Sequence, residues 1–237
     1  MAANELYQYS TMSALMDGVA SRGIPLARLL VHGDHGLGTF RHMAGELIVA
    51  DGRAWRMKHD GTVDAVDAAD TTVVSPFAAV TLFRPTLRAR VDVVSKTALA
   101  LLLARLLPAA HNLFVAVRLD GVVGAVTVRT TAGQQHLGQR LAEVGAGQVA
   151  LTFSGPGTVV GFRSPEFVHG IGVAGLHLHF ISADERHGGH VLALEAQELE
   201  LSAAVISAMR LELPVDDPDF NAAELRPDLG VLAHVEG

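Results

Sequence analysis

Residues 175–190 read GLHLHFISADERHGGH and place four histidines within sixteen positions. The first two, His177 and His179, sit in an alternating run. Leu176, Leu178 and Phe180 point to one face of a strand and the two imidazoles to the other. Residues 182–189, SADERHGG, are turn material, so the strand that follows folds back and brings His190 across from the pair at cross-strand spacing. Three imidazoles converging on one point leave the fourth position of a tetrahedral ion open, the pattern of catalytic rather than structural zinc. His177, His179 and His190 are therefore the candidate metal ligands. The fourth, His187, lies beside Gly188 and Gly189 in the turn and is expected to face solvent. The competing reading is a polar hairpin that happens to be rich in histidine, because a lone strand histidine is more often a surface or satisfied core residue.

Composition narrows the chemistry. The chain has no cysteine, which removes disulfides, thiolate metal sites and cysteine nucleophiles. Any metal must be held by His, Asp, Glu or backbone oxygen, which favours borderline or hard divalent ions. With 49% hydrophobic and 18% charged residues, the 237-residue chain has material for a real core and is not of disordered type. Its formal net charge of −7 and lack of a Lys/Arg cluster argue against nucleic acid as a partner. The most apolar stretch, TALALLLARLLPAA (97–110), is too short to span a bilayer and contains Arg105. With no basic and apolar leader at residues 1–12, a soluble cytoplasmic protein is expected, with no membrane partner.

The elements that must position the histidines are mostly strands. A short helix is expected at 11–17, with Ser10 as N-cap and Gly18 as stop. Asp51-Gly52 and Asp60-Gly61 separate alternating runs and predict a β-meander. Residues 75–85 read as a strand closed by Pro85, and 94–107 as the best helix. Residues 112–130 read as two strands around Asp120-Gly121. A helix near 137–144 lies in a Gly-, Gln- and Ala-rich stretch that marks a junction between domains at 1–135 and 136–237. The last third alternates as antiparallel β. The expected fold class is α+β and strand-rich: a mixed N-terminal sheet with helices, and a C-terminal antiparallel, barrel-like sheet carrying the histidines.

The run GTVVGFRSPEFVHGIGVAGLHLHFISADERHGGHV (157–191) resembles the bacterial α-acetolactate decarboxylase family. So do YQYSTMSALMDGV (7–19), GDHGLGTFRHMAGEL (33–47), SPFAAVTLF (75–83), NLFVAVRLDG (112–121) and DFNAAEL (219–225). The matches follow the family's order and cover nearly the whole chain. The resemblance implies an enzyme, a carboxy-lyase of the acetoin and butanediol route. It would convert α-acetolactate, a small 2-hydroxy-3-oxo acid, to (R)-acetoin and CO2 without oxidation. It implies one zinc ion on His177, His179 and His190, a homodimer, and a tail folding over the site. It further implies active-site roles for Glu46, Arg129 and Glu236, and for Thr39. Read alone, Glu46 is a turn residue after Gly45, Arg129 a strand-end rim residue and Glu236 a fraying terminus. The sequence departs from the family pattern at His187, where a small polar residue is commoner, and at Ala50 and Trp55, which replace larger and more tyrosine-like residues. Two other classes stay open: a cupin-type metal oxygenase, which also uses H-x-H on a strand, and a non-catalytic binding module.

Overall fold

The structure is a computed structural model and describes residues 3–225. Its strands are β1 (Glu5–Tyr9), β2 (Ile24–Pro25), β3 (His35–Thr39), β4 (Glu46–Ala50), β5 (Arg53–Met57), β6 (Val63–Ala65), β7 (Val74–Ser75) and β8 (Phe77–Thr81). There follow β9 (Leu87–Val93), β10 (Phe114–Thr130), β11 (Val149–Ser164), β12 (Gly175–Ser182), β13 (Gly188–Ile206) and β14 (Ala208–Glu212). The α-helices are α1 (Met12–Met16), α2 (Leu26–Leu30), α3 (Lys96–Leu106), α4 (Leu141–Gly145) and α5 (Pro218–Ala222). The fold is α+β and strand-rich, with one large mixed sheet, one large antiparallel sheet and a two-stranded antiparallel ribbon of β2 and β7, as the alternation pattern leads one to expect for the two large sheets.

The mixed sheet has the order β14-β1-β8-β3-β4-β5-β6, in which β14 runs parallel to β1 and the other pairs are antiparallel. The β4–β5 hairpin forms where Asp51-Gly52 predicts it. Both turn residues have positive φ, 51° and 74°, which a two-residue turn with the twist of its strands requires. In the second sheet β10, β11, β12 and β13 pair in a closed ring, β13 pairing back onto β10, with β9 added to β13. Each sheet draws strands from both sides of residue 135: β9 and β10 belong to the ring, and β14 to the mixed sheet.

The ring's inner face carries Val117, Leu119, Val128, Leu178, Val191 and Leu194, plugged by Leu99 and Leu103 of α3. Helix α3 starts at Ser95, whose hydroxyl accepts from the Ala98 amide at 3.0 Å. One face of the mixed sheet packs on the outside of the ring. Ile48, Ala50, Trp55 and Met57 meet Val160 and Ile181, while Leu6, Leu37 and Ala79 meet Ala116, Phe162 and Ala204. The sheet's other face is covered by Ile24, Leu26 and Leu29.

Several local expectations are corrected. The first helix is capped by Thr11, which accepts from the Ala14 amide at 3.2 Å, rather than by Ser10. Residues 112–130 are not a hairpin around Asp120-Gly121. They form one strand, because β11 and β13 flank it on both sides and supply the partners that a hairpin would have sought within the segment. Gly121, at φ 147°, marks an irregularity in that strand instead. The junction helix is shorter than expected, 141–145. Within the last third, β14 leaves the antiparallel pattern to pair parallel with β1.

Candidate metal centre

Register assembles the site. On β12, Leu176, Leu178 and Phe180 face into the ring, so His177 and His179 face outward toward the mixed sheet. His179 lies directly opposite His190 of β13, which lies opposite Arg129 of β10. The last pairing depends on a bulge. Thr127 pairs with Ala193 but Val128 with Val191, so Leu192 is the extra residue. Without that slip Arg129 would face Val191, an inward position. The bulge thus puts Arg129 in one row with His190 and His179 on the outer face.

One potential ligand atom from each of His177, His179 and His190 lies within 4.8 Å of the others, and the ring centroids are 5.0–5.5 Å apart. His179 Nδ1 stands 2.8 Å from the Leu47 carbonyl of β4. Only a ring N–H can bond there, which fixes the tautomer and turns the lone pair of Nε2 outward, the orientation a metal-ligating histidine needs. His179 and His190 are buried, and His177 keeps 9% of its surface where the pocket opens. Burial, then Lys96, then Arg129 lower the pKa of His177 to about 3. Burial and then Arg129 also lower that of His190 well below the ordinary value. Both imidazoles are neutral near pH 7, the form that ligates. A buried, all-nitrogen, three-histidine set with one tautomer locked from outside fits a divalent ion such as zinc.

The mixed sheet closes the site from above. Glu46, first residue of β4, shares the ring-facing side with Ile48, and its Oε2 lies 3.8 Å from His179 Nε2. Thr39 of β3 lies opposite Glu46, and its hydroxyl donates to the Gly45 carbonyl at 2.9 Å, holding the turn that presents Glu46. These groups surround a small pocket, about 420 Å3 of empty space when its open mouth is counted. His177, His190, Arg129, Glu46 and Thr39 line its polar side, and Met12, Leu15, Met43, Phe77 and Leu141 its apolar side.

Of the residues expected from the sequence and the resemblance, Thr39, Glu46, Arg129, His177, His179 and His190 therefore come together around one space. Glu236 lies outside the described residues. His187 is not among the converging imidazoles; its ring stacks on Phe153 at 4.7 Å. Asp184 and Glu185, the carboxylates a cupin-type site would need, are engaged elsewhere, Asp184 with the Ser182 hydroxyl and Glu185 with Arg53. Lys96, which reaches the ligand strand, carried no sequence signal, because it opens a helix that reads only as core.

The sequence pattern of the alpha-acetolactate decarboxylase family matches residues 6–227. The alpha-acetolactate decarboxylase of Methanosarcina mazei is 38% identical over 230 residues, spanning 96% of this chain and 78% of its own. That of Bacillus subtilis is 35% identical over 227 residues, spanning 95% of this chain and 88% of its own. The crystal structure of the Bacillus subtilis enzyme superposes with a TM-score of 0.92 at 34% identity, covering 98% of this chain and 99% of that one. A Staphylococcus aureus protein described as similar to alpha-acetolactate decarboxylase superposes at 0.89 with 28% identity, covering 98% and 97%.

Proposed function

Because the chain belongs to the alpha-acetolactate decarboxylase family of carboxy-lyases, we propose that it converts α-acetolactate to (R)-acetoin and CO2 with a single zinc ion held by His177, His179 and His190. The observation that carries this reading is the convergence of three imidazoles, a buried guanidinium and a carboxylate around one space.

α-Acetolactate is a β-keto acid. Loss of CO2 sends the C–C bonding pair onto the adjacent ketone and produces an enediolate, which must then be protonated. Zinc at the three histidines would supply Lewis-acid stabilisation of the developing oxyanion. Arg129, 2% exposed and fixed in row with His190, holds the substrate carboxylate in a fork of two donors. This keeps the breaking bond perpendicular to the ketone plane. Too firm a hold would stabilise the ground state, so its work is orientation rather than tight binding. Glu46, on the mixed-sheet side, delivers a proton to one face of the enediolate, which yields one enantiomer. Thr39 keeps Glu46 aimed through the Gly45 carbonyl. Glu236 belongs to this proposal as a second acid carried on a covering tail. A homodimer in the cytoplasm completes it.

The test joins metal to product. Protein purified without added metal is analysed by mass spectrometry for bound ions, then assayed with acetolactate before and after chelation and zinc return. About one zinc per chain, with acetoin formation lost and restored alongside it, is expected. Metal bound at the three histidines without decarboxylation would overturn the reaction and leave a binding site.

A further inference from the structure

A second space adjoins the metal pocket. Leu6, Leu37, Ala79, Phe114, Phe162 and Met209 surround about 370 Å3 of emptiness there when its open side is counted. Among the described residues, Phe77 and His177 alone line both spaces.

Strand order explains the division. In the mixed sheet β8 stands between β1 and β3. Ala79 of β8 packs toward the ring, on Ala116 and Phe162, and Phe77, two residues earlier, shares that face. The second space lies under β1 and β8, with Leu6 and Ala79. The metal pocket lies under the ends of β3 and β4, with Thr39 and Glu46. On the ring, Phe162 of β11 pairs with His177 and belongs to the second space, while His190 belongs to the metal pocket. The partition is therefore one side chain from each sheet. Phe77 is buried and lies opposite Thr39. The Ser75 hydroxyl, 2.6 Å from the Thr39 carbonyl and 2.9 Å from that of Phe77, ties the two residues together. The second space suits hydrocarbon. Its polar lining is Gln8, Ser164 and His177, and the Gln8 amide donates to the Ser10 and Ile171 carbonyls at 2.8 and 2.7 Å.

In the proposed reaction the substrate carboxylate lies at Arg129 and its other oxygens at the metal, which leaves its alkyl group the apolar side of the pocket. On that reading we propose that Phe77 is the specificity-determining residue for the alkyl group. Its ring ends the metal pocket and keeps a longer chain out of the space behind it. A smaller side chain at 77 joins the two spaces and admits that chain. Size selection in an apolar pocket amounts to about tenfold or more per methylene.

A homologous series tests this. The parent, Phe77→Leu and Phe77→Ala are assayed with 2-hydroxy-3-oxobutanoates carrying methyl, ethyl or propyl at carbon 2, followed as CO2 release. The propyl-to-methyl ratio of kcat/KM is expected to rise about tenfold in Phe77→Leu and about a hundredfold in Phe77→Ala. Ala79→Leu fills the second space: added to Phe77→Ala it should return the ratio to within about threefold of the parent, and alone it should leave acetolactate turnover within about twofold. By calorimetry on the zinc-loaded proteins, Phe77→Ala should favour 2-hydroxy-2-methylpentanoate over 2-hydroxy-2-methylpropanoate about tenfold more than the parent does. Ratios that stay within about threefold of the parent in both variants, or a rise that Ala79→Leu leaves untouched, would overturn the inference. A parent protein that makes no acetoin defeats the proposed reaction instead, and the calorimetric comparison still decides the role of Phe77.

Discussion

Replacing His35 with Phe should make this protein markedly less sensitive to mild acid. His35, on β3, is 1% exposed and lies between the two sheets. Its ring stacks on Phe83 at 4.4 Å and meets Phe162 edge-on at 5.8 Å. Nε2 donates to the Gly161 carbonyl at 3.4 Å, and Nδ1 is buried without a protein hydrogen-bond partner. Burial, the largest cause, pulls its pKa from 6.5 down to about 4. Between those values the unfolded chain takes a proton that the folded chain refuses. Stability is therefore full above pH 6.5 and is lost as pH falls toward 4, by about 3 kcal/mol in total and about 2 kcal/mol by pH 5. His177 and His190 act in the same direction in metal-free protein, so the parent alone cannot isolate His35. The difference between parent and His35→Phe can. Phe fits between the two aromatic rings and removes the unsatisfied nitrogen, so the variant should be at least as stable at pH 7.5. Urea unfolding in the presence of a chelator, at pH 7.5 and pH 5.0, gives the two free energies. The gap in favour of Phe should widen by about 2 kcal/mol between them. Parallel loss in both proteins, with the gap moving by less than about 0.5 kcal/mol, would refute the reasoning, because it would mean that His35 titrates alike folded and unfolded.

Other perturbations test the site. A Cβ at Gly161 would lie 2.0 Å from the His177 carbonyl oxygen, so Gly161→Ala must push β12 away from β11. Loss of zinc affinity by about tenfold or more, read by competition with a chromophoric chelator, is expected, and unaltered affinity would show that the ligand strand tolerates the shift. Arg129→Lys keeps the charge but loses the planar fork; kcat/KM for acetolactate should fall about a hundredfold with zinc content unchanged. Thr39→Val removes the hydroxyl that holds the Gly45 carbonyl. A loss of about threefold to tenfold in kcat, with lowered enantiomeric purity of the acetoin, is expected if Glu46 is the proton donor that this bond aims.

What the sequence determined by itself is what depends on neighbours along the chain. The alternation around His177 and His179 sets both imidazoles on one face of one strand whatever the strand packs against, and the SADERHGG turn returns His190 to His179 within one hairpin. The Asp51-Gly52 turn and the α3 helix, expected over 94–107 and found over 96–106, are local in the same sense. Asp120-Gly121 shows the limit of such signals: the dipeptide reads as a hairpin, but β11 and β13 were there to pair with both halves, and tertiary contacts won. Tertiary structure alone decided how the rest of the site is built. Glu46 and Thr39 arrive from the other sheet, and the Leu47 carbonyl that fixes the His179 tautomer is 132 residues away in the chain. Without the family resemblance, Arg129 is an ordinary strand-end arginine. It meets His190 because one extra residue, Leu192, shifts the register of β13 against β10. A bulge is chosen by how two strands fit across a closed ring, and no periodicity within either strand records it.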